Sequence, residues 1–595
     1  MLALLLLAGV GCLLGAFHQP GPPNPTVRTE VGDLARVACT TALAVVLLFG
    51  PGVLVRLYGP RIGLAYVPLP GMALLIVAAI FVWLLSASVS PRAIFFAIFV
   101  PCLALFLFAL LTAGPEDIFD REEQRTLGFC ALALGIAIGR TIWSLDPDGE
   151  LYAGSISRTF YPEPRPDSRI SYLISELIAH GKGPYSPEAT ALFSPYNFSS
   201  RGPLGGLAAA PIVFMGGGKP PIENPEMPWA PFDEQGFMAF RLATMTYCVT
   251  VLLSLWELVR KVAGMNAARF AIILGAATPF LFDELVFTWP KLLAASMVLL
   301  GALAIIERRA FLAGLFVGIG YLMHPSALLA LAAIGLLALW PLRGANWKRP
   351  DIKAAILLGI GVAVSLVVWR LVNGSHYDQN GFLEYFREAG FEAHPDAAHW
   401  IGYRLGSLGN TVVPGMLPIF YAHDHSINVF GGQSTWPVHF MFQYWAGLPF
   451  GLAIVFFPML LYSLYKAARR WPWPFFAVVV APLVLFTAYW GSSITGMLRE
   501  GMQSWVFALL AVVAVQQAAA NFSYLRGTLP RAILSLRALE SLFAVTGMVL
   551  VTNHLKPLNG GYTLVNLVAL AVMLGCSLVM AWAIWRTEAP DPDET

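Results

Sequence analysis

Charge is what this sequence has least of. Of 595 residues only 12% are charged, against 57% hydrophobic, where a soluble domain carries roughly 25% charged residues. So few charges cannot solvate a chain of this length as a globule. The charges nearly cancel, 37 Lys and Arg against 35 Asp and Glu, which leaves no basic balance to attract nucleic acid. Cysteine is scarce, and all six (Cys12, Cys39, Cys102, Cys130, Cys248 and Cys576) fall inside apolar runs. The hydrophilic stretches hold none, so no disulfide is expected, and no spacing suits a metal site. There is no Gly-x-x-x-x-Gly-Lys loop and no Gly-x-Gly-x-x-Gly opening a soluble αβ unit, so no nucleotide-binding module is expected. No internal repeat is visible.

What the sequence does contain is apolar runs near bilayer length, about 20 residues. They fall at 1–17, 35–56, 64–86, 93–113, 127–145, 236–258, 268–287, 289–306, 310–341, 353–373, 440–464, 474–492, 503–520, 539–553 and 563–585. They predict an all-α polytopic membrane protein with roughly 14–16 transmembrane helices. Met1 to Phe17 lacks a basic n-region and a small-residue cleavage site, so it reads as an uncleaved first helix. The 310–341 run is too long for one crossing at about 1.5 Å per residue. Arg308 and Arg309 precede it, Arg343, Lys348 and Arg349 follow it, and Pro325 sits near its middle. Basic residues at both ends predict two short helices entering and leaving on one side, with His324-Pro325 as the turn.

Alternation then places the basic loops around Arg260, Arg308, Lys353, Lys466 and Arg531 on one side, which the positive-inside rule makes cytoplasmic. Both termini fall there, and the polar segments 146–235 and 374–438 fall outside. Arg92, in a loop assigned to the outside, runs against this pattern. The expected organisation is a four-helix extension at 1–126, a core at 127–345 with outer loop 146–235, and further membrane helices at 346–595 with outer loop 374–438. The second loop suggests its own surface helix near Ala397 to Leu408, and its His423-Asp424-His425 reads better as solvated loop than as metal ligands.

In the first outer loop, Ile170, Leu173, Ile174, Leu177 and Ile178 recur at helical spacing behind an N-cap Asp167 and ahead of Gly181. Ser168, Arg169, Ser175 and Glu176 occupy the opposite face, so an amphipathic helix lying on the membrane surface is predicted. Arg201-Gly202-Pro203-Leu204 follows, then a short apolar stretch to Met215, expected to insert partly and return to the same side.

An Asp-led amphipathic helix, then Arg-x-Pro-Leu and a short apolar helix, then a helix hairpin, resembles the integral membrane glycosyltransferases of the GT-C superfold. Within it the pattern is similar to the polyprenyl-phosphate-sugar-dependent protein O-mannosyltransferase and lipid A aminoarabinose transferase family. The residues that carry the resemblance are Asp167…Tyr172, Arg201 to Leu204, Phe287 to Ala294 and Gly318 to Pro325, within residues 127–345. The family commonly has a second acid where Ser168 stands and a proline where Gly202 stands.

The resemblance implies transfer of sugar from a polyprenyl-phosphate donor to a glycan or glycolipid acceptor of the cell envelope, outside the cytoplasm of a bacterial inner membrane. That chemistry needs a base for the acceptor proton, cations for the departing phosphate, and a groove for the lipid. Asp167 is the expected base, with Asp146 and Asp148 as alternative acids; Asp167 also reads as a plain N-cap, and Asp-Pro-Asp-Gly as a solvated turn. Arg201, Lys291 and Arg169 are expected at the phosphate, although Lys291 also reads as a snorkelling anchor or a partner of Glu284. Tyr172, Glu284 and His324 are expected to line the substrate cavity. The resemblance implies no definite cofactor; a divalent metal is compatible with it but is not indicated. The competing readings are a polysaccharide polymerase or ligase and a multi-pass transporter or flippase.

Overall fold

The computed structural model describes residues 27–85, 88–142, 166–186, 189, 192–193, 198, 202–217, 234–286, 289–340, 350–374, 401, 453–489, 503–519, 532, 535 and 564–586. Every regular element among them is helical. The long helices α1 (Val27–Tyr58), α2 (Pro68–Leu85) and α3 (Pro91–Thr112) come first, followed by α4 (Arg121–Ile142). The first polar region contributes α5 (Pro166–Ala179) and α6 (Pro203–Met215). Next come α7 (Glu234–Cys248), α8 (Val251–Ala263), α9 (Met265–Ala276), α10 (Pro279–Val286) and α11 (Lys291–Ile306). The hairpin α12 (Ala310–Met323) and α13 (Ala327–Leu339) precedes α14 (Ile352–Asn373). Later helices are α15 (Ala453–Arg470), α16 (Ala481–Tyr489, entered through a π-helical turn at Phe476–Val480), α17 (Gln503–Ala519) and α18 (Leu564–Trp585).

Seven described helices are long and apolar enough to cross a membrane, or eight if the bent pair α9–α10 is one span. The chain is a multi-pass membrane protein. Its lipid-facing surface is marked by exposed apolar side chains, such as Leu105, Phe108 and Leu111 on α3 and Ile356, Val367 and Leu371 on α14. In water such stripes would be costly; in hydrocarbon they are the ordinary exterior. The continuous α7–α8 span is buried along its apolar length, up to the last turn of α8. The expected runs 1–17 and 539–553 lie outside the described residues.

The 310–341 run divides at His324–Ser326, where the sequence placed the turn. The chain comes back near the end of α13, where the Asp351 N–H donates to the Leu339 carbonyl at 2.8 Å. The 268–287 run, expected to be continuous, is instead broken after Ala276 and bent by 60°. Pro279 accounts for it, since its ring removes a donor and excludes the preceding turn. Helices α12 and α14 approach closely because both are bare at the seam. A Cβ on Gly314 would sit 2.1 Å from the Leu358 carbonyl oxygen, and one on Gly361 2.2 Å from that of Phe311. The five described cysteines, Cys39, Cys102, Cys130, Cys248 and Cys576, are free thiols.

The two ends of the bundle treat charge differently. At the end carrying the basic loops, ion pairs join separate helices. Arg56 of α1 meets Glu123 of α4 at 2.6 Å, with both side chains under 5% exposed. Arg269 of α9 donates twice to Glu122 of α4 at 2.9 Å. Glu307 gathers Arg309 at 3.5 Å, Lys261 at 3.9 Å and the Tyr66 hydroxyl at 3.4 Å. The far end buries Arg140, Arg241, Lys291, Glu176, Glu284 and His324, each at most 1% exposed. Ionisable groups are costly at membrane depth and concentrate where a protein handles substrate. The far end is therefore where the site is sought.

Candidate functional site

The floor of the site is built where α6, α11 and the α12–α13 turn converge. Gly202, at φ +79°, precedes α6 and lies against the end of α12, so that a Cβ there would stand 2.3 Å from the Met323 carbonyl oxygen. A Cβ on Gly205 would meet Pro290 at 2.3 Å. The glycine that departs from the family's proline is thus required twice over, by a left-handed backbone and by the proximity of His324. Gly202→Ala should combine about 1 kcal/mol of backbone strain with a backbone clash. A lowered thermal unfolding midpoint in detergent is the expected result, and an unchanged midpoint would contradict the close approach.

Lys291 opens α11 and is fully buried, with its Nζ 4.4 Å from the centre of the Trp289 ring. A desolvated cation–π contact of this kind is worth about 2 kcal/mol. The Trp289 ring also stacks on His324, at 5.6 Å. His324 Nδ1 accepts the Ser326 N–H at 3.2 Å and lies 2.9 Å from the Ser326 hydroxyl. A ring nitrogen that accepts a backbone N–H carries no proton, so in the neutral ring Nε2 is the donor. Glu284, 1% exposed, accepts from the Gln503 side-chain amide at 3.2 Å.

The walls come from α5 and α7. Tyr172 donates to Glu176 at 2.9 Å, and Glu176 faces His180 at 3.3 Å. The Tyr172 ring packs edge-on against Phe237 at 4.9 Å. The expectation of a half-exposed amphipathic helix is corrected: Ile170 to Ala179 is buried on every side, Ser175 and Glu176 included. The reason is the small-residue face of α6, where Ser175 donates to the Gly206 carbonyl at 2.8 Å. Ahead of α6, Phe198 stacks on Trp369 of α14 at 6.0 Å and meets Trp83 of α2 at 5.5 Å. Tyr185 donates to Asn373 of α14. These contacts tie Tyr185 and Phe198 to α2 and α14.

Of the expected site residues, Lys291, His324, Glu284 and Tyr172 are buried at this end of the bundle. Asp167 and Arg169 lie in the first turn of α5, but their side chains are outside the described residues. Asp146, Asp148 and Arg201 are outside the described residues altogether, as are His423, Asp424 and His425. The sequence reading missed Trp289, Gln503 and Arg241. For Arg241 a signal existed: it is an arginine within the apolar run 236–258.

An apolar cavity of roughly 170 Å³ lies between α8, α11, α13, α16 and α17. Leu258, Val298, Leu329, Ile334, Trp471 and Trp505 line it. Val298 is two turns along α11 from Lys291, and Ser504 and Trp505 adjoin Gln503, the partner of Glu284. The cavity therefore begins near the buried charges and runs toward the basic end, reaching Val262 and Trp471. Among the described residues, no three His, Cys, Asp or Glu side chains form a group that could hold a metal ion.

The solved structures that this chain resembles include an oligosaccharyltransferase and ArnT. The apo oligosaccharyltransferase of Archaeoglobus fulgidus matches at 14% identity and TM-score 0.34, over 78% of this chain and 57% of that one. ArnT from Cupriavidus metallidurans, in the apo state, matches at 13% identity and TM-score 0.36, over 76% of each chain. AglB of Archaeoglobus fulgidus in complex with an inhibitory peptide and a dolichol-phosphate matches at 14% identity and TM-score 0.33, over 80% of this chain and 57% of that one. The chain thus spans a little over half the length of the archaeal oligosaccharyltransferase it matches. No family model and no curated protein matches the sequence.

Proposed function

We propose that the chain is a GT-C-type membrane glycosyltransferase that moves a sugar from a polyprenyl-phosphate carrier to a glycan or glycolipid acceptor. In this reading the basic end faces the cytoplasm of a bacterial inner membrane and the far end opens outside. The observation that carries it is the alignment of a buried cation, Lys291, with an apolar cavity further along the same helix. A polyprenyl phosphate has that chemistry: one anionic group on a long apolar tail. The acceptor oxygen attacks the anomeric carbon as the bond from that carbon to the phosphate oxygen breaks. The carrier phosphate leaves with the electron pair, and the acceptor proton goes to a carboxylate.

Asp167 is assigned that base role, with Asp146 and Asp148 as the alternative acids. Lys291, Arg201 and Arg169 are assigned to the phosphate, since charge-assisted contacts hold it before and after the reaction. Glu284, Tyr172 and His324 are assigned to the substrate end of the site, beside Lys291 and not along the apolar cavity. No nucleotide is needed, because the lipid's own phosphate is the leaving group.

The test is transfer by purified protein from a radiolabelled polyprenyl-phosphate sugar, together with reporter fusions at Lys466 and in the 146–235 loop. Transfer with the two reporters on opposite faces is expected. A second reading, as a transporter, is favoured by the break between α9 and α10 beside buried Glu284, since broken helices with ionisable groups mark many transporter sites. Substrate movement across proteoliposomes without any transfer would decide for it.

A further inference from the structure

We infer that Arg241 is a phosphate-anchoring residue of the site, a role that rests on the lipid-phosphate reading above. Arg241 is 1% exposed, and Nε, Nη1 and Nη2 all lack a hydrogen-bond partner among the described residues. A guanidinium taken from water and given nothing in return costs far more than one missing hydrogen bond. The basic end shows what this protein does with a structural arginine: Arg56 and Arg269 are each bonded to a glutamate.

The surroundings of Arg241 are built. Phe237 and Met245, four residues to either side, share its face of α7. Phe237 is held by the Tyr172 ring of α5 at 4.9 Å, and Met245 lies 3.5 Å from the Thr141 hydroxyl at the end of α4. Arg241 is thereby placed between the end of α4 and the α5 wall, next along the chain from Phe240, which also packs on Tyr172 at 5.8 Å. A second buried arginine, Arg140, adjoins Thr141 in the same region. The planar fork of Arg241 offers paired donors that match a phosphate, which a lysine cannot copy.

The ligand chemistry is a phosphate, carried on a lipid or free. The test measures equilibrium binding of a polyprenyl phosphate, the matching polyprenol and inorganic phosphate to the full-length protein in detergent. Wild type should prefer the phosphate lipid over the alcohol by roughly tenfold or more. In Arg241→Met the preference should fall several-fold, to what the remaining cations sustain, with polyprenol affinity unchanged. Arg241→Lys, which keeps the charge and loses the fork, should fall between. Inorganic phosphate that displaces the lipid from wild type assigns the site to free phosphate as well; failure to displace it assigns the lipid headgroup alone.

An undiminished preference in Arg241→Met would overturn the inference and leave Arg241 a structural residue. If Arg241→Met binds neither lipid because it misfolds, Arg241→Lys decides: an unchanged preference overturns the inference, and a reduced one with normal polyprenol binding upholds it. Loss of sugar transfer in wild type with an Arg241-dependent preference intact would remove the transferase reading and keep the phosphate site.

Discussion

Asp167→Asn should slow sugar transfer by roughly 10²–10⁴-fold while polyprenyl-phosphate binding stays close to wild type. Asp167 is the second residue of α5, inside the helix and not at the N-cap expected from the sequence, and asparagine keeps its size there. What the substitution removes is the capacity to accept the acceptor's proton, which matters in the transition state and not in the ground state. Single-turnover transfer from a radiolabelled polyprenyl-phosphate sugar, alongside equilibrium binding of the unglycosylated carrier, separates the two. Lys291→Ala should behave differently and weaken binding as well as turnover, because its contact with the phosphate exists before the reaction. Full activity in Asp167→Asn with a dead Asp148→Asn or Asp146→Asn would move the base to the residues that follow α4 in the sequence.

Arg56→Met should cost about 3–5 kcal/mol of stability, because it leaves Glu123 buried and unpaired. Glu123 is only 3% exposed at its side chain and loses its 2.6 Å partner. The double variant Arg56→Met/Glu123→Leu should recover most of that loss, since two apolar groups replace a desolvated pair. Unfolding midpoints of the single and double variants in detergent measure it, and strictly additive losses would refute the coupling. The effect should also reach the site. α1 is fastened to the start of α4, and the other end of α4 carries Arg140 and Thr141.

The membrane character and the broken 310–341 hairpin were legible in the sequence because both rest on length. A run too long for one crossing, with basic residues at both ends and a proline between, has few other solutions. Run length did not reveal the break after Ala276, where Pro279 ended a helix whose overall hydropathy looked continuous. The α5 wall was legible as a helix with an apolar stripe. Its polar face was misread, because periodicity reports which residues share a face but not what packs there. Gly206 of α6, which takes the Ser175 hydroxyl bond at its carbonyl, gives no periodic signal. Gly202 stood out in the sequence only as a departure from a motif, and its backbone angle and the nearby Met323 carbonyl give the reason. Arg241 was the missed signal that composition alone could have supplied, a single arginine in an apolar run.

Helix α12 has 14 residues, about 21 Å of rise at 1.5 Å per residue. A hydrocarbon core is about 30 Å thick. Starting beside Arg308 and Arg309 at the basic end, α12 is by length roughly 10 Å short of a full crossing when it ends before His324. In the proposed reading, chemistry on that floor takes place beneath the headgroup plane, and the lipid-anchored carrier reaches it sideways. The encounter is then two-dimensional, and its rate follows the number of carrier molecules per lipid and not their bulk molarity. Diluting the carrier with inert lipid at constant total carrier should slow the enzyme, while diluting the vesicles with buffer should not.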